Sequence, residues 1–161
     1  MIQVYPSNSR YLVDLGWLRS GLSFSFGEYF DPENTAFGVM RVCNDDLVAG
    51  GKGFGPHPHS DMEIVTVVLR GQVLPVVSHT GSEQVASINQ DLTIYLSRLE
   101  RGNELSFHQE AGRRVFLFII EGQLEVSGHV LETRDTARIQ NEPHLQLAAK
   151  EDTTYMLIDL P

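Results

Sequence analysis

The constraint that weighs most on this chain is that its apolar residues never recur at a helical period over any long stretch. They come in short runs closed by turn residues: Gly102-Asn103, Glu121-Gly122, Ser127-Gly128 and Gln140-Asn141. Apolar runs that are too short for a stable helix and are bounded by Gly, Asn and Asp read as strands. A chain made of such strands must bury one face of each against another sheet, so the expected class is all-β, a sandwich or barrel. With 161 residues, 42% hydrophobic and 20% charged, the chain has material for one good core and is cramped for two full-sized domains.

Legible chemistry is concentrated in residues 51–71, GKGFGPHPHSDMEIVTVVLRG. His57 and His59 are one residue apart, so on a strand both imidazoles leave the same face and make a ready pair of metal ligands. Glu63 opens the β-branched run Ile64, Val65, Thr66, Val67, Val68, Leu69, which is expected to be a strand. The glycines before the pair turn the chain tightly beside it; GKGFGPH lacks the Lys-Ser/Thr ending of a phosphate-binding loop, and no serine-hydrolase signature is present.

Charge and cysteine content remove other classes. A net charge of -9 argues against direct nucleic-acid binding, which needs surplus Lys and Arg. No apolar run reaches membrane-span length, and no basic segment followed by an apolar one opens the chain; a soluble, cytoplasmic protein without membrane partners is expected. Cys43 is the one cysteine, which excludes an intramolecular disulfide and a cysteine-based zinc site; a buried, inert thiol is expected.

Along the first half, Leu22, Phe24 and Phe26 alternate with Ser23 and Ser25 as in a half-buried strand, and Trp17 reads as core, with an aromatic ligand shelf as the alternative. Asp31-Pro32 and Asn44-Asp45-Asp46 read as turns bracketing a strand over residues 37–43. After Gly71, alternation through Val73, Pro75 and Val77 leads to a turn at Thr80-Gly81-Ser82, with His79 as a solvated histidine beside it. His129 and His144, next to Gly128 and Pro143, read as loop histidines. Of the adjacent pair Arg113-Arg114, at most one side chain would point into a pocket and grip an anion. An internal repeat is also visible. His57 precedes Gly71 by the interval at which His108 precedes Gly122, and each interval holds an apolar run. His59 then corresponds to Glu110 and Glu63 to Arg114.

The spacing of Gly51, His57, His59, Glu63 and Gly71 resembles the first metal-binding motif of the cupin superfamily. Within it, HPHSDMEIVTVVLRG is similar to the pirin family, as is the upstream run GWLRSGLSFSFGEYFDPENTAFGVMRVCNDD. From about Asn89, NQDLTIYLSRLERG and ELSFHQEAGRRVFLFIIEGQLEVSG resemble the second, usually metal-free, pirin domain. The resemblance implies a cupin jelly-roll β-barrel in a shortened pirin-like bicupin: a partial N-terminal module over residues 1–86 and a cupin-like barrel over residues 87–161.

It also implies a divalent transition metal, Fe(II) foremost, held by His57 and His59. The second metal motif of the first pirin barrel, which supplies a further His and a Glu, is missing, so the metal itself can be absent. A non-haem iron site wants two His and a carboxylate. Glu63 is near, although the matching pirin Glu is not the carboxylate ligand; His108 and Glu110, on one face of their own strand, are the other completing pair. Two functions follow. One is a metal-dependent dioxygenase of the quercetinase type acting on a small aromatic substrate, with Glu63 or Glu110 as carboxylate ligand or base. The other is a non-enzymatic assembly or regulatory cupin with a degenerate metal site. A partial first barrel with open edges further implies a homodimer.

Overall fold

The computed structural model describes residues 1–55, 57–69 and 90–161. They form twelve strands and one 3-10 turn, Ser7–Ser9, with no α-helix. The strands are β1 (Ile2–Tyr5), β2 (Tyr11–Asp14), β3 (Leu18–Leu22), β4 (Asn44–Val48), β5 (Thr93–Leu99), β6 (Glu104–His108), β7 (Arg114–Glu121), β8 (Gln123–Val126), β9 (His129–Glu132), β10 (Thr136–Gln140), β11 (His144–Ala149) and β12 (Thr153–Leu160). A five-stranded sheet in the order β1-β10-β7-β12-β5 faces a four-stranded sheet in the order β6-β11-β8-β9, and a third sheet carries β2-β3-β4. All pairings are antiparallel. The expected all-β class holds, and the two larger sheets are the walls of a cupin jelly roll.

Strand β7 explains why the run VFLFII shows no alternation. Val115, Leu117 and Ile119 enter the core between the two large sheets, with Leu124, Val126, Leu131, Ile139, Leu145, Leu147, Tyr155 and Leu157. Phe116 and Phe118 point the opposite way beside Ile158 and Leu160 of the neighbouring β12 and are covered by Phe24, with Phe37, Met40 and Cys43 against them. A strand buried on both faces needs apolar residues at every position. Each fully buried side chain of this size contributes about 1.5–3 kcal/mol, so β7 is a dense source of stability among the described strands. The chain crosses from β7 in one large sheet to β8 in the other at Gly122, whose φ is +99 and whose absent side chain leaves room for the Asp152 carbonyl and Thr153.

The N-terminal segment lies against the barrel. β1 adds to the large sheet through β10, with Ile2 opposite Ile139. Arg138 on β10 is buried: its guanidinium lies 4.1 Å from the Tyr5 ring centroid and 4.3 Å from that of Phe24, and donates to the Ser23 carbonyl and Asn34 Oδ1 at 2.7 Å each. Desolvation lowers its pKa from the usual arginine value.

Several expectations change. Asn44, Asp45 and Asp46 open β4 and form no turn. The two aspartates are matched within the fold: Asp45 meets Arg134 Nη1 at 2.5 Å and Arg10 Nη2 at 3.5 Å, and Asp46 accepts from Ser20 Oγ at 2.5 Å. Residues 37–43 form only a two-residue bridge between Phe37 and Met40, mirrored by one between Phe26 and Tyr29. Phe24 is buried as expected, whereas Phe26 is exposed and Trp17 half-buried. Residues 64–69 are not a strand. Among the described residues no strand pairs with them, whereas β7, their counterpart in the repeat, is held by β10 and β12 on both edges. β-propensity reflects the neighbours a strand finds more than the backbone itself. The alternation expected over residues 73–77, the turn at residues 80–82 and His79 lie outside the described residues.

Candidate functional site

His57 and His59 stand on an exposed loop, and Pro58 between them lacks the N–H that a ladder would need. Strand alternation therefore does not bring the imidazoles together. They are nonetheless adjacent, with ring centroids 4.5 Å apart and planes at 66°. His57 Nδ1 lies 2.7 Å from the Gly55 carbonyl oxygen. A carbonyl only accepts, so Nδ1 carries the proton and Nε2 presents its lone pair outward, the tautomer a metal ligand needs. Asp61, in the left-handed region with φ of 53, turns the chain after the pair. Glu63 then comes back half-buried, its Oε2 accepting from the Gln90 backbone N–H at 3.1 Å.

An aromatic row leads to the pair. Trp17 meets Phe54 edge-on at 5.4 Å, and Phe54 meets His57 at 6.3 Å. Neither Phe54 nor its link to Trp17 is legible from strand patterning, because residues 37 apart in sequence are joined here across loops.

The structure places His108 and Glu110 elsewhere, at the end of β6 in the four-stranded sheet and just beyond it. His108 ends β6, and its register partner on β11 is His144, which opens that strand and is no loop histidine. The two Nδ1 atoms are 2.7 Å apart. His129 likewise opens β9. His108 and Glu110 line a cavity of about 370 Å³ with Asp91, Thr93, Tyr95, Phe107, Arg113 and Asp159. Arg113 meets Asp159 at 3.0 Å and Asp91 at 3.1 Å, and these carboxylates raise its pKa from the usual value. Arg114 donates to the Pro161 carbonyl at 2.5 Å. Both arginines are thus engaged within the chain, and the anion grip expected of one of them is occupied by carboxylates of the protein.

Two histidine pairs therefore exist where the sequence suggested one extended ligand set. Among the described residues no three His, Cys, Asp or Glu side chains come together as a metal group. His57 and His59 fit two positions of a metal site and do not by themselves complete it. Cys43 is half-buried, and burial pushes its thiol up to about 11, in keeping with the inert role expected. No helix among the described residues is long and apolar enough to cross a membrane.

Two family models match the chain: the one described as Pirin over residues 6–90, and the Quercetinase C-terminal cupin domain over residues 75–160. The chain is 28% identical to the quercetin 2,3-dioxygenase of Escherichia coli (strain K12), covering 100% of this chain and 99% of that protein. That alignment runs over 230 residues, so about 69 of its positions are gaps in a chain of 161. A pirin-like protein of Caulobacter vibrioides is 48% identical over 73 residues, 45% of this chain and 32% of that one. Among solved structures, the bacterial pirin YhhW of Escherichia coli in complex with nickel(II) superposes with a TM-score of 0.84 at 24% identity, covering 100% of this chain and 99% of that one, which shows the shared fold. With one pirin module matched after the other from residue 6 to residue 160, the chain belongs to the pirin family of the cupin superfamily.

Proposed function

We propose that this chain is a metal-binding pirin and works as a dioxygenase of the quercetinase type on a small aromatic substrate. The observation that carries the reading is the row Trp17, Phe54, His57, His59, an aromatic wall ending in two imidazoles, with the His57 tautomer fixed by the Gly55 carbonyl. The name carried by the full-length Escherichia coli relative supports the reaction class.

His57 Nε2 and an imidazole nitrogen of His59 would hold the metal, with Fe(II) as the preferred ion. A divalent transition metal bound there supplies Lewis-acid polarisation of substrate oxygens and a redox partner for dioxygen. Trp17 and Phe54 offer ring faces and edges on which a flat aromatic substrate stacks. Glu63, oriented by the Gln90 N–H, takes the role of base and receives the proton of a substrate hydroxyl. Glu110, with His108, belongs in this reading to the second barrel and does not complete the His57 site.

The same reading divides the chain at residues 1–86 and 87–161, a division supported by family matches that overlap at residues 75–90. It includes a homodimer, supported by five exposed apolar side chains in residues 64–69, whose exposures run from 37% to 58%. It also includes a cytoplasmic setting, consistent with the free thiol of Cys43.

The test is oxygen-dependent loss of quercetin with Fe(II)-loaded protein. Turnover in the wild type, with kcat/KM at least tenfold lower in His57→Ala and the melting curve kept, is the expected result. A preparation that stays metal-free after loading and leaves quercetin intact would instead favour a non-enzymatic regulatory cupin.

A further inference from the structure

We propose that His108 and His144 form a second cation site, on the outer face of the C-terminal barrel, which takes a borderline divalent ion of the Zn²⁺, Ni²⁺ or Cu²⁺ class through both Nδ1 atoms. The site is independent of the His57 and His59 reading.

The backbone sets the pair. His144 and His108 are register partners on the antiparallel strands β11 and β6, and cross-strand partners hold their Cβ atoms about 4.5–5.5 Å apart. Phe107 and Leu145, the next pair, turn to the core, so the two imidazoles leave the opposite, exposed face. Two residues further along that face, Ser106 Oγ donates to Gln146 Oε1 at 3.0 Å and holds the strands in register.

The geometry of the nitrogens is the main argument. With Nδ1 to Nδ1 at 2.7 Å, one imidazole donates and the other accepts. A single proton therefore sits where two ring lone pairs converge. When the donor ring carries its proton on Nε2 instead, a shift that exposed rings accomplish through water without net proton release, both Nδ1 lone pairs face one point. A tetrahedral ion with metal–nitrogen bonds near 2.0–2.1 Å needs about 3.3 Å between the two nitrogens. The rings must part by about 0.6 Å, which exposed side chains achieve by small torsional changes.

Electrostatics favours a cation. The adjoining cavity carries the carboxylates of Asp91, Glu110 and Asp159 against the one guanidinium of Arg113. Glu110 lines it beside His108 and adds to this negative field, and water would fill the remaining positions on the ion. Imidazole nitrogens select borderline ions over Mg²⁺ and Ca²⁺.

The experiment titrates Zn²⁺ by calorimetry into the full chain carrying both His57→Ala and His59→Ala, which removes the first pair. One equivalent is expected to bind, with affinity falling at least tenfold when His144→Ala is added. No binding by the double variant, or affinity unchanged by His144→Ala, would overturn the site. A second measurement guards against a variant that fails to fold. In the wild-type chain, Zn²⁺ should move the Nδ1 resonances of His108 and His144 together in imidazole nitrogen NMR, and saturation that leaves both unmoved overturns it. Neither result depends on quercetin turnover.

Discussion

At the scale of single residues, the chain's chemistry rests on which atom of a side chain is already committed. His57 is held by Gly55 through Nδ1, so the nitrogen left for a ligand is Nε2. Glu63, in the role of base, predicts that Glu63→Gln lowers kcat by about a hundredfold or more, the low end for loss of a general base, while bound iron stays constant. Metal analysis beside initial rates separates this from a ligand role, in which the iron would fall as well. Cys43 gives a prediction with a sign. Its thiol is pushed up to about 11 by burial, so at pH 8 its thiolate is about a hundredfold scarcer than that of a free cysteine, and alkylation by iodoacetamide should slow accordingly. Because this folded-state value is raised, the unfolded chain loses the proton first. Stability is then unaffected below about pH 9 and declines as pH rises from there toward 11, which urea melts across that window will show. At Gly122 a Cβ would sit 2.4 Å from the Asp152 carbonyl, and φ is +99. Gly122→Ala should cost about 2 kcal/mol or more, measured by the denaturation midpoint.

At the scale of elements, the two halves of the repeat show what pairing does. β7 has partners on both edges and side chains buried on both faces, whereas residues 64–69, of similar composition, form no strand. The N-terminal segment stays on the barrel through a few strong contacts made by β10 and β4. Arg138 is the largest: stacked between Tyr5 and Phe24 and hydrogen-bonded to Ser23 and Asn34, it joins segments over 100 residues apart in sequence. Arg138→Ala removes the stacking and leaves buried acceptors unpaired. A loss of about 3 kcal/mol is expected, with protease cleavage before residue 44 appearing ahead of global unfolding. Arg138→Lys should recover little, since an ammonium does not stack as a planar guanidinium does.

At the scale of the whole molecule, the chain reaches both ends of its full-length relatives with about 69 fewer aligned positions. The first 48 residues are anchored on the barrel of the two large sheets, and residues 64–69 leave an apolar surface facing solvent. Covering that surface with a second copy predicts a mass near twice 18.0 kDa by light scattering at low micromolar concentration. A mass near 18.0 kDa with a cooperative melt would show that the surface is covered within one chain.

Local sequence suffices for the class of the fold and for one neighbouring pair of imidazoles. Turn pairs such as Glu121-Gly122 and Ser127-Gly128 punctuate strands wherever they occur, and the period of the apolar residues excludes long helices, because both are local properties of the backbone. His57 and His59 were visible for the same reason, being neighbours in the chain. Tertiary structure alone decided the rest. It made a strand of the acidic run at β4, because Asp45 finds Arg10 and Arg134, 35 and 89 residues away. It denied a strand to residues 64–69, and it joined His108 to His144 across two strands while keeping Glu110 with them and apart from His57. Pairing and charge compensation between distant segments depend on which partner arrives, and composition or spacing does not record that.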